Sequence, residues 1–289
     1  MIGAFLDLST LAAREFNCRE ELRLNRRLAP DVYLRVVPLV TRPDGRLSIG
    51  GQGTVEEWLL EMRRLPEQLM FDHLIKASAV TTNELADLVG YLAAFYRGAE
   101  RPALDPLDHF RMFEYQNEIN REVLRHEEFD VDHHAVRSLL NDLDRALHRS
   151  RDMIKNRIEQ GRYVEGHGDL RPEHVCFCNP IAIFDCLEFD RWLRFIDPFD
   201  EIAFLGMECA FLGAPDIADT LANLMERKLE DRIPLKLRLL YTAFRGTMRA
   251  RMSYSHLLDC VRVVPGLWEA KTSRYLALAQ AALHRGGFS

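Results

Sequence analysis

The chain has 289 residues, 47% of them hydrophobic and 28% charged, enough to bury one large core or two unequal lobes. Its formal net charge of −6 excludes the basic footprint of a general nucleic-acid binder. No window approaches the roughly 18 consecutive apolar residues of a membrane span, and residues 1–5 lack the basic start and apolar core of a signal peptide, so a cytoplasmic protein that does not enter membranes is expected.

Ser9 or Thr10 can cap a helix that carries Glu21 and runs to about residue 28, where Ala29-Pro30 ends it. Strand-like runs at 32–41 and 46–49 flank Arg42-Pro43-Asp44-Gly45, a turn in which proline presets φ and glycine accepts positive φ. Gly50-Gly51-Gln52-Gly53 lacks the Lys-Ser/Thr and helix start of a P-loop, and reads as a loop into a strand near 55–60.

Beyond residue 62 the pattern turns helical. Thr81-Thr82-Asn83-Glu84 resembles a capping box, and Leu85, Leu88, Val89, Leu92 and Phe95 form one apolar face. The polar stretch 97–108, with Pro102 and Pro106, reads as a connection within one lobe. Val136, Leu139, Leu140, Leu143, Leu147, Ile154 and Ile158 mark a long helix ending near Gly161. Residues 163–166, 175–177 and 182–184 are short strand candidates, with Asn179-Pro180 as a turn. After Asp197-Pro198 the chain reads as helical to its end, jointed at Pro215, Pro234 and Pro265-Gly266.

The chemistry concentrates in His167-Gly168-Asp169-Leu170-Arg171-Pro172-Glu173-His174 and, just downstream, Ile183-Phe184-Asp185. These pieces put Asp169 in a loop and Asp185 at a strand end. Phosphoryl transfer needs a carboxylate to orient the attacking hydroxyl and further groups to hold metal against the phosphates. A zinc site is the competing reading, because His174, Cys176 and Cys178 alternate onto one strand face with Cys186 just beyond. Alternation would turn Cys186 away from Asp185, and the spacing matches no common zinc knuckle. Ordinary buried cysteines are therefore the better reading, and Cys18, Cys209 and Cys260 complete a set of free thiols. Arg245 and Arg249, spaced i, i+4, share a helix face where two guanidiniums could grip a phosphate or carboxylate of the substrate; a solvated face weighs somewhat more.

The motif resembles the aminoglycoside phosphotransferase family, whose catalytic loop reads His-Gly-Asp-Leu-His-Pro-x-Asn, a short form of the protein-kinase loop. The resemblance implies Asp169 as the catalytic base and Asp185 as metal ligand. It also implies that His167 supports the loop from beneath, and that Asp197 does so from the helix start in Asp197-Pro198-Phe199-Asp200-Glu201-Ile202-Ala203. Leu6-Asp7-Leu8-Ser9-Thr10-Leu11, Glu61-Met62-Arg63-Arg64 and Cys186-Leu187-Glu188-Phe189 resemble an uncharacterised bacterial branch, often fused to a C-terminal P-loop kinase domain that this chain is expected to lack.

The implied fold is α+β and protein-kinase-like. A truncated small N-lobe (1–62, helix plus hairpin, without glycine-rich loop or lysine strand) precedes a large, mainly helical C-lobe (63–289) carrying the catalytic loop and metal-binding strand. In the kinase pattern a lysine clamps the α- and β-phosphates and pairs with a helix glutamate. Here no lysine precedes Lys76, and Glu21 falls at the position of that glutamate. His174 stands where the family has a metal-binding asparagine, and an imidazole suits Mn or Zn better than Mg. The alternative is that His174 only hydrogen-bonds Asp169 or a loop carbonyl. Glu188 and Asp190 are candidates to assist a second metal or bind a substrate hydroxyl, ranked below surface salt bridges.

The expected function is an ATP-dependent phosphotransferase, with ATP and Mg (or Mn), acting on a hydroxyl of a small molecule. An anionic acceptor would follow if the arginine pair grips it. The alternative is a catalytically impaired, pseudokinase-like module that binds a nucleotide or partner. A homodimer through the open sheet edge is a further expectation.

Overall fold

The computed structural model describes residues 8–126, 131–258 and 266–288; residues 1–7, Cys260 and Pro265, cited above, lie outside them. The first helix, α1 (Leu11–Asn25), starts where its cap predicts, the Thr10 side chain accepting the Ala13 N–H at 3.1 Å. It ends at Asn25, short of residue 28, and the chain then closes a turn in which the Ala29 N–H donates to the Asn25 carbonyl at 2.8 Å. Pro30, without an N–H, cannot extend it.

Three antiparallel strands follow: β1 (Tyr33–Thr41), β2 (Leu47–Ile49) and β3 (Thr54–Met62), ordered β2-β1-β3. The β1–β2 register sets Thr41 opposite Leu47, and Gly45 takes φ +80° in the expected turn. The glycine-rich stretch is the β2–β3 connection. A Cβ at Gly53 would lie 2.3 Å from the Thr41 carbonyl oxygen, so glycine there serves backbone packing. α1 packs on this sheet, tied by Arg14–Glu57 at 2.8 Å. The short α2 (Phe71–Lys76) leads to α3 (Thr82–Gly98). The capping box forms, with Thr81 N–H to Glu84 Oε2 at 2.8 Å and Glu84 N–H to Thr81 Oγ1 at 3.2 Å.

The stretch read as a connection ends inside a helix. α4 (Pro106–Leu124) starts with Pro106 in its first turn, and Asp105 accepts the N–H groups of Leu107 and Asp108 at 2.9 Å. That is the Asp-Pro signal recognised at Asp197-Pro198, and it has the same cause: proline loses no hydrogen bond at the first helical position. α5 (His133–Glu159) buries the predicted stripe. β4 (Val164–Glu165), β5 (Val175–Cys176), β6 (Ala182–Ile183) and β7 (Phe195–Ile196) are short, and β5 pairs antiparallel with β6. α6 (Pro198–Phe211), α7 (Asp216–Leu229), α8 (Leu235–Leu258) and α9 (Leu267–Arg285) complete the described chain.

The chain divides into two compact units. One holds the described residues up to Gly98 together with Glu165–Phe195; the other holds Ala99–Val164 and the described residues from Ile196 on. In the second unit α8 packs on α9, α6, α4 and α5. α6 and α7 approach so closely that a Cβ at Gly206 would fall 2.8 Å from the Ala218 Cβ. Among the described residues no helix is long and apolar enough to cross a membrane.

Candidate active site

Gly168 makes the turn of the loop His167–His174. It has φ +89°, and a Cβ there would lie 3.0 Å from the Leu187 Cβ and 3.2 Å from the Arg194 Cγ. Beside it His167 is fully buried. Its Nε2 lies 2.9 Å from the Phe184 carbonyl, which can only accept, so Nε2 carries the proton and Nδ1 is left to accept the Asp169 N–H at 3.3 Å. Burial, with His174 nearby, pushes the His167 imidazole down to about 3, so it stays neutral at ordinary pH.

The same bookkeeping of protons at His174 gives the central observation. Its Nδ1 is 2.8 Å from the Asp169 carbonyl oxygen and must donate. In the neutral imidazole Nε2 then presents a lone pair, and 3.1 Å away is Asp185 Oδ2, also an acceptor. Two acceptors at that separation require a cation between them, either a proton or a metal ion. Asp169, His174 and Asp185 each offer one ligand atom, all within 4.8 Å of one another, and they are the cluster of this kind found among the described residues. Ligands at right angles on a divalent ion with bonds of about 2.1 Å sit about 3 Å apart, which matches the His174–Asp185 spacing. One imidazole nitrogen and two carboxylates therefore fit a divalent ion, and the imidazole favours Mn over Mg. Of the two sequence alternatives for His174, the hydrogen bond to a loop carbonyl is present through Nδ1, while Nε2 faces Asp185.

Asp185 adopts φ +62°, and its side chain is 59% exposed, open to a ligand. Glu21 on α1 lies in the field of this site. Burial first, then the Glu188 and Asp185 carboxylates, push its carboxyl up to about 7. Asp190 accepts the Trp192 N–H at 2.8 Å as a local turn cap. Arg171, two residues after Asp169, was passed over by the sequence analysis; it reaches Asp169 Oδ2 at 3.4 Å and pairs with Glu173. Its position inside the motif was the available signal. Arg27, Asn25 and Tyr33 were missed as well, and for them no local signal exists. Arg27 donates to the carbonyls of Glu165 (3.0 Å) and Gly166 (2.9 Å), Asn25 accepts the Cys186 N–H (2.8 Å), and the Tyr33 hydroxyl accepts the Asp185 N–H (3.2 Å).

The zinc reading fails on geometry. Cys176 is buried among Ala29, Val32, Tyr33 and Ala182, and its thiol is pushed up to about 11 chiefly by burial. Cys178 donates to the Pro180 carbonyl at 3.1 Å and Cys186 to that of His167 at 3.1 Å.

In the helical unit Asp197 caps α6, accepting the Phe199 N–H at 3.0 Å, and its carboxylate also receives Arg157 and the Tyr241 hydroxyl. The catalytic-loop hydrogen bond implied by the resemblance is not among these partners. The arginine pair likewise departs from both earlier readings. Arg245 makes two bonds to Asp200 (2.8 and 2.6 Å) and Arg249 pairs with Glu208 at 2.8 Å, with both carboxylates buried. The face that carries the pair packs on α6, whose acidic residues take up the guanidiniums.

No protein-family model matches the chain. It is 29% identical, over 295 residues, to the uncharacterized protein Rv2004c of Mycobacterium tuberculosis (strain ATCC 25618 / H37Rv), with 98% of this chain and 55% of that protein covered. The uncharacterized protein Mb2027c of Mycobacterium bovis matches equally, so the chain spans about half the length of the curated relatives it matches. Among solved structures, a choline/ethanolamine kinase family protein from Mesorhizobium loti superposes with a TM-score of 0.52 at 13% identity, covering 96% of this chain and 80% of that one. An ethanolamine kinase of Plasmodium vivax gives 0.51 at 9% (93% and 71%). An aminoglycoside phosphotransferase from Alicyclobacillus acidocaldarius gives 0.50 at 15% (94% and 82%). At these identities the likeness shows the fold, which is the protein-kinase-like fold that the motif implied.

Proposed function

We propose that this chain, which carries the protein-kinase-like fold of choline/ethanolamine kinase and aminoglycoside phosphotransferase proteins, is an ATP-dependent phosphotransferase acting on a hydroxyl of a small molecule. The observation that carries the reading is the convergence of Asp169, His174 and Asp185, with His174 Nε2 and Asp185 Oδ2 3.1 Å apart, a separation that a proton or a metal ion bridges. Asp169 orients the acceptor hydroxyl and takes its proton. Asp185 and His174 would hold a divalent ion, Mg or Mn, whose chemistry when bound is to neutralise charge on the phosphates. Arg171, beside Asp169, holds that carboxylate in a fixed direction. The nucleotide and a small-molecule acceptor are the partners of this reading, which needs neither nucleic acid nor membrane.

A second reading has its own observation. Glu21, at the position of the lysine's partner, faces carboxylates, and no lysine precedes Lys76. Positioning is the main catalytic term in this chemistry, so if no lysine clamps the phosphates the module binds nucleotide, or a partner, without turning over.

The test is the melting temperature with ATP plus Mg or Mn, in wild type and Asp185→Ala, followed by phosphate transfer to a panel of small alcohols in wild type and Asp169→Asn. The phosphotransferase reading expects a metal-dependent rise that Asp185→Ala abolishes, and a loss of turnover in Asp169→Asn of about 10²–10⁴-fold with nucleotide binding kept. Nucleotide binding without transfer to any alcohol selects the second reading. No rise with either metal, or full turnover by Asp169→Asn, rejects the first.

A further inference from the structure

Asp185 is held in a conformation that a non-glycine residue rarely adopts, and the groups holding it come from far away in sequence. Three described non-glycine residues have positive φ: Ser78, Asp185 and Glu230. Glu230 is the C-terminal cap of α7 and Ser78 follows the end of α2, where a left-handed residue is an ordinary way to end a helix. Asp185 ends no helix; it follows β6. Asp tolerates this region better than most residues, yet the surroundings must still select it over extended backbone.

The selection is visible. Three consecutive backbone groups are each gripped by a different side chain. His167 Nε2 donates to the Phe184 carbonyl at 2.9 Å, the Tyr33 hydroxyl accepts the Asp185 N–H at 3.2 Å, and Asn25 Oδ1 accepts the Cys186 N–H at 2.8 Å. The Asn25 amide is itself oriented, because its Nδ2 donates to the Glu21 carbonyl at 2.9 Å, which leaves Oδ1 to face Cys186. Tyr33 and Asn25 are each 1% exposed, so water cannot replace either bond.

Resting on the metal-centre reading above, we infer that Tyr33 and Asn25 are positioning residues for that centre: through the backbone of Asp185 and Cys186 they hold the Asp185 carboxylate opposite His174. The helix α1 and strand β1 thereby serve the metal site directly, by two neutral hydrogen bonds. Coupling of this kind is reciprocal, so an ion bound at Asp185 strengthens the grip on its own backbone.

The experiment is titration of the full chain with Mn²⁺, followed by the electron paramagnetic resonance signal of the free ion, in wild type, Tyr33→Phe, Asn25→Ala and Asp185→Ala. Metal-free melting curves are taken on each. Amide exchange of Asp185 and Cys186 is measured in wild type with and without Mn²⁺. Tyr33→Phe keeps the buried ring and removes only the hydroxyl. The inference expects it to weaken Mn²⁺ binding about tenfold, the loss usual for a group that orients a metal ligand, under conditions where the variant is fully folded. It also expects slower exchange at both amides when Mn²⁺ binds. If Asp185→Ala loses Mn²⁺ while Tyr33→Phe and Asn25→Ala keep wild-type affinity, the inference falls and the metal centre stands. If Asp185→Ala binds as wild type does, both fall. Should the variants fail to fold, unchanged exchange at the two amides in wild type overturns it independently.

Discussion

Removing the Arg245 guanidinium asks whether α8 carries a ligand grip or a structural ion pair. In Arg245→Met an unbranched apolar side chain is kept, while both bonds to Asp200 and the stacking of the guanidinium 5.2 Å over the Phe204 ring are lost. Asp200 is 3% exposed, so its carboxylate would lose both bonds in a setting that water barely reaches. Breaking a buried pair from one side costs about 3–5 kcal/mol, whereas replacing both partners by apolar groups of similar size is often neutral. At roughly 2–4 °C per kcal/mol for a chain of this size class, the single variant should melt roughly 10 °C lower. Arg245→Met with Asp200→Leu should recover most of that loss. The assay is thermal melting by circular dichroism on wild type, both single variants and the double, with urea midpoints to convert the shifts to coupling energy. Arg245→Met melting as wild type does, or a double variant no better than the worse single one, would refute the reasoning and return Arg245 to the list of anion-binding candidates.

Other consequences follow from single contacts. His174→Asn should lower the preference for Mn over Mg about tenfold, because an amide oxygen replaces an imidazole nitrogen; competition between the two ions measures it. His109 is held down to about 4 by burial, below the roughly 6.5 of an unfolded chain. Its contribution, up to about 3 kcal/mol, is therefore present above pH 6.5 and lost as pH falls toward 4. His109→Phe should flatten the fall of the urea midpoint between pH 7 and pH 4.5, and an unchanged slope would contradict the burial argument. Gly206→Ala should cost about 1–3 kcal/mol, since the added methyl meets the Ala218 Cβ at 2.8 Å between two packed helices; a melting temperature equal to wild type would show that the helices separate freely.

What was legible in the sequence was what contiguous residues encode. The stripe from Val136 to Ile158 predicted α5 because burial on one helix face repeats every 3.6 residues. Thr10, the Thr81–Glu84 box and Asp197-Pro198 located helix starts because a cap and the N–H groups it satisfies are neighbours in the chain. Asp105-Pro106 was equally local and was passed over because a polar stretch with prolines also reads as a loop. The loop His167–His174 could be aligned with a known pattern, since the geometry of a tight turn depends on residues within it.

The partners of charges and backbone groups across the fold were not legible. Nothing near Arg245 or Arg249 in sequence announces Asp200 and Glu208, which reach them only because α6 packs on α8. Nothing near Asp185 announces Tyr33 and Asn25, which lie on β1 and α1. The sequence by itself determined the helices, the hairpin and the identity of the chemical groups, because those follow from spacing along one chain. Only the tertiary structure decided that Glu165–Phe195 joins the N-terminal elements in one unit, and that His174 Nε2 comes to face Asp185. Both depend on hydrogen bonds between residues distant in sequence, whose directions exist only once the elements have packed.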